Sequence, residues 1–316
     1  MWGAASGESK KSTGCTKDGR QTVLRVRLWT QNFSLNCTFN HFLDVQEEVT
    51  VGIWHILPKS RLKDCEKGIV LNDEFQDDRP VFLYLHGVAE NRGASHRLNI
   101  YNVLSQSHVD GHVVTFDYGG FGDSSGTTTT VGMINDSKAV YQWIRKFVGK
   151  ERIIIWGHFV GAAVGLRLTE ELSKNKEYPA GIVLEASFNS LNDVIVTHPA
   201  FFFLRFLPYF ETLILEALRH EDTFLNPEDQ TGIVKSPILI LHSHSDKLVP
   251  LSAGEKFYQK IQENKSDHLK SSVQFVGIDE TGSYECGHRW LSLDPKLPEV
   301  VDAFLETHYK RRKEKH

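Results

Sequence analysis

The stretch Ile153-Ile154-Ile155-Trp156-Gly157-His158-Phe159-Val160-Gly161 decides the fold. Its apolar run predicts a buried strand, its glycines indicate a tight turn, and the residues after that turn predict a helix. A strand that enters a helix through a glycine-flanked turn is the setting of the G-x-S-x-G nucleophile elbow, whose central residue stands above the sheet. Here the central residue is Phe159, and a phenyl ring has no oxygen with which to attack a carbonyl carbon.

Short apolar runs alternate with amphipathic stretches on both sides of this turn. Alternation at this spacing predicts an α/β fold with a mostly parallel central sheet flanked by helices. Near-continuous apolar strands also suit a sheet covered on both faces. Strands are predicted at Val23–Leu28, Val49–Leu57, Val81–Leu85, His112–Phe116, Ile153–Trp156, Ile182–Leu184, Ile238–Leu241 and Val273–Ile278, and helices at Leu98–Leu104, Val131–Val148 and Leu297–His308.

A single domain over residues 23–310 accounts for this pattern, with one long insertion. Residues 188–234 are rich in Phe and Leu and exceed the length of a crossover helix, so we predict a helical cap over the carboxyl edge of the sheet. Residues 59–79 have the composition of a polar surface loop. The polar terminus 1–22 is expected to be disordered, and the basic tail 311–316 to be the solvated end of a helix.

The composition is that of an ordinary globular protein, with 40% hydrophobic and 24% charged residues. A formal net charge of −4 argues against a nucleic-acid partner. We expect neither a signal peptide nor a transmembrane segment.

The cysteines lack metal-ligand spacing and do not suggest a disulfide framework, so we expect no metal, no cofactor and a reducing, intracellular compartment. They are Cys15, Cys37, Cys65 and Cys286.

Other positions complete a hydrolase pattern around Phe159. The backbone N–H groups of Val88, in a His-Gly-Val loop after a strand, and of Val160, after the elbow, are placed to form an oxyanion hole. Asp246 follows the strand Ile238–Leu241 and can accept the Nδ1–H of a histidine. His288 follows the last predicted strand, so the chain order is elbow, acid, histidine, which is the order of α/β-hydrolases.

Each of these residues also has a structural interpretation. Asp246 could begin a turn, and His288 could be a surface histidine, although it alone occupies the loop after the last strand. We expect His86 to support the oxyanion loop, and His158 to point away from the elbow tip. Cys286 lies two residues from His288, a poor geometry for a Cys-His pair, and is expected to be an ordinary thiol.

Several segments together resemble one family. They are Tyr84-Leu85-His86-Gly87, Ser95-His96-Arg97-Leu98, Val113-Val114-Thr115-Phe116-Asp117-Tyr118, Gly120-Phe121-Gly122-Asp123-Ser124, Trp156-Gly157-His158, Val183-Leu184-Glu185-Ala186 and Leu239-Ile240-Leu241-His242. From about Val49 to Leu305 the chain is similar to the α/β-hydrolase-domain lysophosphatidylserine and monoacylglycerol lipases. The resemblance implies an α/β-hydrolase fold and a triad at Phe159, Asp246 and His288.

The resemblance also implies a substrate class, the single acyl ester of a lysophospholipid or monoacylglycerol, and a cytoplasmic location or peripheral contact with the endoplasmic reticulum membrane. The chain departs from the family at Phe159 and at Gly119, where the family has an arginine that could order the loop. The transmembrane anchor of the membrane-bound members is not expected here. Oligomeric state is left open.

Three functional hypotheses follow. The first is a catalytically impaired hydrolase that still binds lipid or a partner. The second is an active lipase whose natural residue at position 159 is serine, since one base change turns a serine codon into a phenylalanine codon. The third is a non-catalytic module that uses its surface to bind lipid or protein.

Overall fold

The computed structural model describes residues 37–66, 74–188, 232–278 and 286–310, together with Leu35, Val194, Tyr209, Thr212 and Glu216. The predicted strand at Val23–Leu28, the polar terminus 1–22 and the basic tail 311–316 lie outside the described residues, as do Cys15 and all but a few residues of the predicted cap.

The core of the fold is an eight-stranded sheet with the strand order β1-β2-β4-β3-β5-β6-β7-β8. The strands β3 to β8 are parallel to one another, and β1 and β2 are antiparallel to their neighbours. This confirms the predicted α/β fold with a mostly parallel sheet. The strands are β1 Thr38–Gln46, β2 Val49–Ile56, β3 Val81–Leu85, β4 His112–Phe116, β5 Ile153–His158, β6 Gly181–Glu185, β7 Ile238–Ser243 and β8 Val273–Ile278.

Helices cover both faces of the sheet. They are α1 Leu62–Glu66, α2 Ser95–Gln106, α3 Thr130–Arg145, α4 Val160–Lys174, α5 Leu251–Asn264, α6 Asp267–Lys270 and α7 Leu297–Leu305, with 3₁₀ turns at Lys59–Arg61, Lys150–Arg152 and Leu291–Leu293 and a π turn at Glu306–Lys310. The three predicted helices correspond to α2, α3 and α7. Within the described ranges, no helix combines the length and apolar character needed to cross a bilayer.

The central strands are buried along their full length. Every residue of β3, β4, β5, β6 and β7 is buried, because helices pack on both faces. Full burial of one Val, Leu or Ile side chain stabilises a fold by about 1.5–3 kcal/mol. The strand β5 lies between β3 and β6, so the loops after these strands meet above the centre of the sheet.

The strand β1 was not predicted. It pairs with β2 in an antiparallel ladder, but its burial alternates only in its second half. A histidine, His41, occupies a buried position in the first half, where an apolar residue would have marked a strand. The apolar alternation that identifies a half-buried strand is therefore interrupted.

The prediction of a polar surface loop at 59–79 is wrong in part. The segment contains a 3₁₀ turn and α1, and its later residues Glu74 and Phe75 are buried against β2. Residues 67–73 lie outside the described residues. Local composition could not show this, because the burial depends on polar partners from distant strands.

The prediction of no disulfide is also wrong. Cys37 and Cys65 form a disulfide bond, with their Cα atoms 6.0 Å apart. The start of β1 lies beside the end of β2, where the Leu57 N–H donates to the Cys37 carbonyl. A 3₁₀ turn then leads into α1, which contains Cys65. The pairing depends on the unpredicted strand β1, so sequence spacing could not show it. The argument from unpaired thiols to a reducing compartment no longer holds.

Candidate active site

Phe159 occupies a strained turn between β5 and α4. Its backbone has φ 55° and ψ −114°, a combination that bulky residues rarely adopt. Its N–H donates to the Glu185 carbonyl at 2.9 Å, and its own carbonyl accepts from the N–H of Ala162 at 2.9 Å. The local backbone is that of a nucleophile elbow, with a phenylalanine at the tip.

The flanking glycines permit this turn because backbones pass very close to them. A Cβ atom on Gly157 would lie 2.2 Å from the carbonyl oxygen of Gly161. A Cβ atom on Gly161 would lie 2.1 Å from the carbonyl oxygen of Leu85, at the end of β3. Any larger residue would push α4 away from the ends of β3 and β5.

The Phe159 ring packs within the site. It is half-buried, and its centroid lies 5.3 Å from that of Phe188. The ring also meets the His288 imidazole edge-to-face, with centroids 5.0 Å apart and an interplanar angle of 84°. Aromatic side chains prefer such geometry, so Phe159 forms a stable contact with the histidine beside the elbow.

Asp246 and His288 form a hydrogen-bonded pair. The Asp246 Oδ2 accepts from the His288 Nδ1 at 2.8 Å. The other oxygen, Oδ1, accepts from the N–H groups of Leu248 and Val249, both at 2.8 Å. Because an ionised carboxylate only accepts, His288 carries its hydrogen on Nδ1, which leaves Nε2 as the acceptor. The ring is thus oriented as a general base.

His158 holds the loop that carries His288. Its Nε2 lies 2.9 Å from the His288 carbonyl oxygen, and the two rings are 5.0 Å apart. Burial, reinforced by the neighbouring His288, keeps the pKa of His158 well below its usual value. The neutral ring therefore donates from Nε2. This hydrogen bond commits His158 to a positioning contact, and no sequence pattern indicated it.

The loop after β3 is fixed by a buried arginine. The Arg97 guanidinium donates to the carbonyls of Gly87, Ala89 and Asn91. Within the described chain, neither Val88 nor Val160 donates its N–H to another group. These two N–H groups are the ones predicted for an oxyanion hole.

His86 supports the same loop from below. It is fully buried, its Nδ1 lies 2.7 Å from the Gly87 carbonyl, and its Nε2 lies 3.4 Å from Asp117. Burial lowers the pKa of His86, so the ring is neutral at pH 7. These contacts agree with the structural role expected for His86.

A different cation orders the loop around Gly119. The Arg92 guanidinium bonds to Asp117 at 2.5 Å and to both oxygens of Asp123, at 2.5 and 2.8 Å. The Gly119 N–H donates to Asp136 at 2.9 Å. The arginine missing at position 119 is therefore not needed to hold this loop.

A buried carboxyl lies beneath the elbow. Glu185, the last residue of β6, accepts a hydrogen bond from the Trp156 indole N–H at 2.8 Å. Burial raises the pKa of Glu185 to about 7, and the charge of Asp246 adds to this, although the bond from Trp156 opposes it. Glu185 and Arg97 belong to the segments that carry the family resemblance, but no local pattern assigned either a role.

Cys286 is buried, and its assignment as an ordinary thiol stays a prediction. The structure thus brings Phe159, Asp246 and His288 together at the carboxyl edge of the sheet, with Val88 on the loop after β3 and Val160 at the first position of α4. Groups in this arrangement hydrolyse esters when an attacking oxygen stands at the elbow tip, where this chain has a phenyl ring.

The fold and this site define an α/β-hydrolase, and comparisons with known proteins agree. Residues 80–213 match the family model of the alpha/beta hydrolase fold. The lysophosphatidylserine lipase ABHD12 of Danio rerio is 34% identical over 280 residues, which cover 87% of this chain and 71% of that protein. The Rattus norvegicus lysophosphatidylserine lipase ABHD12 is 32% identical over 277 residues, covering 87% and 68%. Protein ABHD12B of Homo sapiens is 35% identical over 224 residues, covering 70% and 61%.

The chain belongs to the ABHD12-type lysophosphatidylserine lipase family, whose hydrolase domain has the α/β-hydrolase fold. Solved structures show the same fold at low sequence identity. The Pyrococcus furiosus esterase Pf2001 superposes with a TM-score of 0.62 at 19% identity, covering 88% of this chain and 94% of that chain. Est1E of Butyrivibrio proteoclasticus gives a TM-score of 0.60 at 16% identity, covering 84% and 98%.

Proposed function

We propose that this chain is a catalytically impaired member of its lipase family that retains a site for a lipid carboxylic ester. One observation carries the proposal: Phe159 occupies the tip of the elbow against the His288 ring, while His288 remains paired with Asp246 at 2.8 Å. The general base and its orienting acid are in position, but the group they would activate has no oxygen.

The proposed chemistry follows from the role of the missing atom. In an active member, a serine hydroxyl would lose its proton to His288 Nε2 as it attacks the ester carbonyl, and the N–H groups of Val88 and Val160 would bind the resulting oxyanion. Without the hydroxyl no acyl-enzyme can form. Positioning and the oxyanion hole alone leave about 10³–10⁴-fold acceleration over water in other triad enzymes, against roughly 10⁶–10¹⁷ for complete enzymes.

The proposed ligand class comes from the relatives. Two of them are named lysophosphatidylserine lipases, which supports a lysophospholipid ester as the bound group. A monoacylglycerol ester, the other ligand of this proposal, rests on the sequence resemblance alone. The predicted cap, which would supply the slot for the acyl chain, lies outside the described residues.

A second candidate function has a specific observation in its favour. The backbone of Phe159 keeps its strained left-handed conformation, which costs on the order of 1–3 kcal/mol and serves no purpose for a phenylalanine. A chain with serine at this position would therefore be an active lipid-ester hydrolase without any change of backbone. The two candidates differ only in the residue at 159.

The deciding experiment uses the unaltered chain, the Phe159→Ser variant and the Phe159→Ala variant. A fluorophosphonate probe and the hydrolysis of lysophosphatidylserine and monoacylglycerol are measured on all three. We expect labelling and hydrolysis only with serine. The alanine variant is the matched control, because it removes the ring without supplying an oxygen.

Ligand binding is measured separately, by titrating a non-hydrolysable ether analogue of lysophosphatidylserine into the unaltered chain and into the Phe159→Ala variant. We expect saturable binding to both. Rapid hydrolysis or probe labelling by the unaltered chain would contradict the impaired site, and lack of any saturable binding would contradict retention of the ligand.

A further inference from the structure

A second cluster of buried polar side chains lies away from the elbow. Its members come from β1, from β2, from the first residue of β4 and from the segment that precedes β3. His112 begins β4, so the cluster lies at the amino ends of the parallel strands, whereas Phe159 lies at the carboxyl ends. No step proposed for the active site uses these residues.

Four side chains of this cluster form a continuous chain of hydrogen bonds. Glu74 Oε2 lies 2.9 Å from His55 Nδ1. His55 Nε2 lies 3.0 Å from His112 Nδ1, and His112 Nε2 lies 3.0 Å from Asp77 Oδ2. All three distances are those of true hydrogen bonds, so each contact requires one hydrogen between its two atoms.

The available hydrogens are one too few. A neutral imidazole carries one N–H, and an ionised carboxylate carries none. The two histidines supply two hydrogens for three contacts, so one contact would join two acceptors. The third contact needs either an extra proton, on a ring or on a carboxyl group, or a metal ion at one end.

The Asp77 end is already neutralised. Asp77 accepts from the guanidinium of Arg152 at 3.0 Å and of Arg61 at 3.3 Å, and from the Arg79 N–H at 2.8 Å. A further cation at this end would be repelled by the arginines.

At the Glu74 end, Arg61 donates to the backbone carbonyl of Glu74 at 2.7 Å, whereas the Glu74 side chain faces a third imidazole. His41 Nε2 lies 3.5 Å from Glu74 Oε2, and one ligand atom from each of His41, His55 and Glu74 lies within 4.8 Å of the others. His41 is 5% exposed and Glu74 is 1% exposed. Within the described part of the chain, His41 Nε2 and Glu74 Oε1 have no hydrogen-bond partner. Buried polar atoms are rarely left in this state.

We propose that His41, His55 and Glu74 bind a divalent transition-metal ion, for which zinc is the best match. Two imidazoles and one carboxylate are a common zinc ligand set, with metal–ligand bonds of about 2.0–2.1 Å and tetrahedral geometry. Such ligands stand roughly 3.3 Å apart, close to the 3.5 Å between His41 and Glu74. The 2.9 Å between His55 and Glu74 has to widen by a few tenths of an ångström, and the two imidazole nitrogens, which lie within 4.8 Å of each other, have to reach the same spacing.

The metal also completes the hydrogen-bond chain. With the ion on His55 Nδ1, the His55 Nε2–H donates to His112 Nδ1, and the His112 Nε2–H donates to Asp77. Every contact then has its hydrogen, and the ligand histidine is backed by a second histidine and a carboxylate, as ligand histidines in metal sites usually are. The ion would join β1 and β2 to the segment before β3, a structural role.

A surface cleft lies beside the cluster. A cleft of about 450 Å³ is lined by Phe75, Asp77 and neighbouring residues. The Phe75 ring stacks on His55 with centroids 4.1 Å apart, so this ring contacts the cluster and also lines the cleft.

The test begins with the unaltered chain, free of affinity tags. It is stripped with chelator, loaded with zinc, passed over a sizing column and measured by elemental analysis. We expect one zinc ion per chain, with a rise in Tm of about 5 °C when zinc is about a hundredfold above its Kd. X-ray absorption should show nitrogen or oxygen neighbours at about 2.0 Å, including imidazole.

Variants locate the ion. His41→Asn and Glu74→Gln should each weaken zinc binding by about 100-fold or more, and His112→Asn by about 10–100-fold through loss of support to His55. His268→Asn, at an exposed position on α6, is the matched control and should bind as the unaltered chain does.

Two results would overturn the proposal. One is a folded, unaltered chain that retains no zinc. The other is unchanged zinc affinity in both His41→Asn and Glu74→Gln. If these variants do not fold, the absorption spectrum of the unaltered chain decides, since a first shell without imidazole excludes the site.

Discussion

Asp246 and His288 are separated by 42 positions in the chain, yet Asp246 Oδ2 lies 2.8 Å from His288 Nδ1. The strands β7 and β8 are parallel neighbours, so the loops after them leave the same edge of the sheet. Two backbone N–H groups hold the second carboxylate oxygen, which fixes the direction of the first. This pair has the geometry of the acid and base of a catalytic triad, although Phe159 provides no oxygen for it to activate.

The pair should become essential once a nucleophile is supplied. In the Phe159→Ser background, Asp246→Asn keeps the shape of the side chain but presents an amide where His288 needs an acceptor, so the wrong tautomer is favoured. We expect kcat to fall by about 10³–10⁴-fold, with KM changed little. Steady-state hydrolysis of lysophosphatidylserine measures this. A loss below tenfold would show that Asp246 does not orient the base.

The sequence predicted the elements that depend on short-range patterns. Full burial produces uninterrupted apolar runs, so the central strands could be identified, and the glycines around Phe159 marked the elbow. Chain order then paired Asp246 with His288. The disulfide between Cys37 and Cys65 could not be predicted, because it depends on a strand, β1, whose apolar alternation is interrupted.

The roles of two buried charged residues were also missed, because they depend on contacts that no short-range sequence pattern records. Arg97 and Glu185 have partners that are distant or lie on the backbone, so no neighbouring residue type indicates their role. A charged residue in a buried strand or helix indicates that a polar partner is present, since burial of an unpaired charge is costly. The sequence does not identify that partner.

Arg97 should act as a positioning residue for the oxyanion loop. It is 2% exposed and donates to three carbonyls of residues 87–91. Replacement by methionine leaves those carbonyls without donors, and we expect a loss of about 3 kcal/mol in the free energy of unfolding. In the Phe159→Ser background we also expect slower labelling by a fluorophosphonate probe at a temperature where the protein is folded.

Arg97→Lys separates these two effects, because lysine restores a cationic donor and should partly rescue the labelling rate. Arg167→Met, on the outer side of α4, is the control and should label normally. Equal labelling rates for the methionine variant and its parent would exclude a positioning role, even if the protein were less stable.

Gly157 in the elbow and Gly87 on the loop after β3 should tolerate substitution unequally. A Cβ atom on Gly157 would lie 2.2 Å from a backbone oxygen, whereas one on Gly87 would have its nearest neighbour at 3.4 Å. We therefore expect Gly157→Ala to lower the free energy of unfolding by about 3 kcal/mol, because backbone must shift, and Gly87→Ala by less than about 1 kcal/mol. Urea unfolding of both variants measures the difference. Similar costs at both positions would argue against the close approach of α4 to β5.

Glu185 should make the stability of the fold depend on pH in an unusual direction. Its carboxyl has a pKa of about 7 in the folded chain, because burial disfavours the charged form, against an ordinary value of 4.5. Between these values the unfolded chain releases the proton while the folded chain keeps it. The contribution of Glu185 to the free energy of unfolding is therefore fully present below pH 4.5 and is lost as the pH rises through 7.

Glu185→Gln should remove this loss, since a neutral amide oxygen can still accept from the Trp156 indole. We expect the variant to be more stable than the unaltered chain at pH 8 by on the order of 2 kcal/mol, with little difference at pH 4.5. Urea unfolding at several pH values gives the result, with Glu263→Gln on the exposed side of α5 as the control. If the free energy of unfolding varies with pH in the same way in the Glu185→Gln variant and the unaltered chain, Glu185 is ionised in the folded protein. The hydrogen bond from Trp156 would then outweigh the effect of burial on the Glu185 pKa.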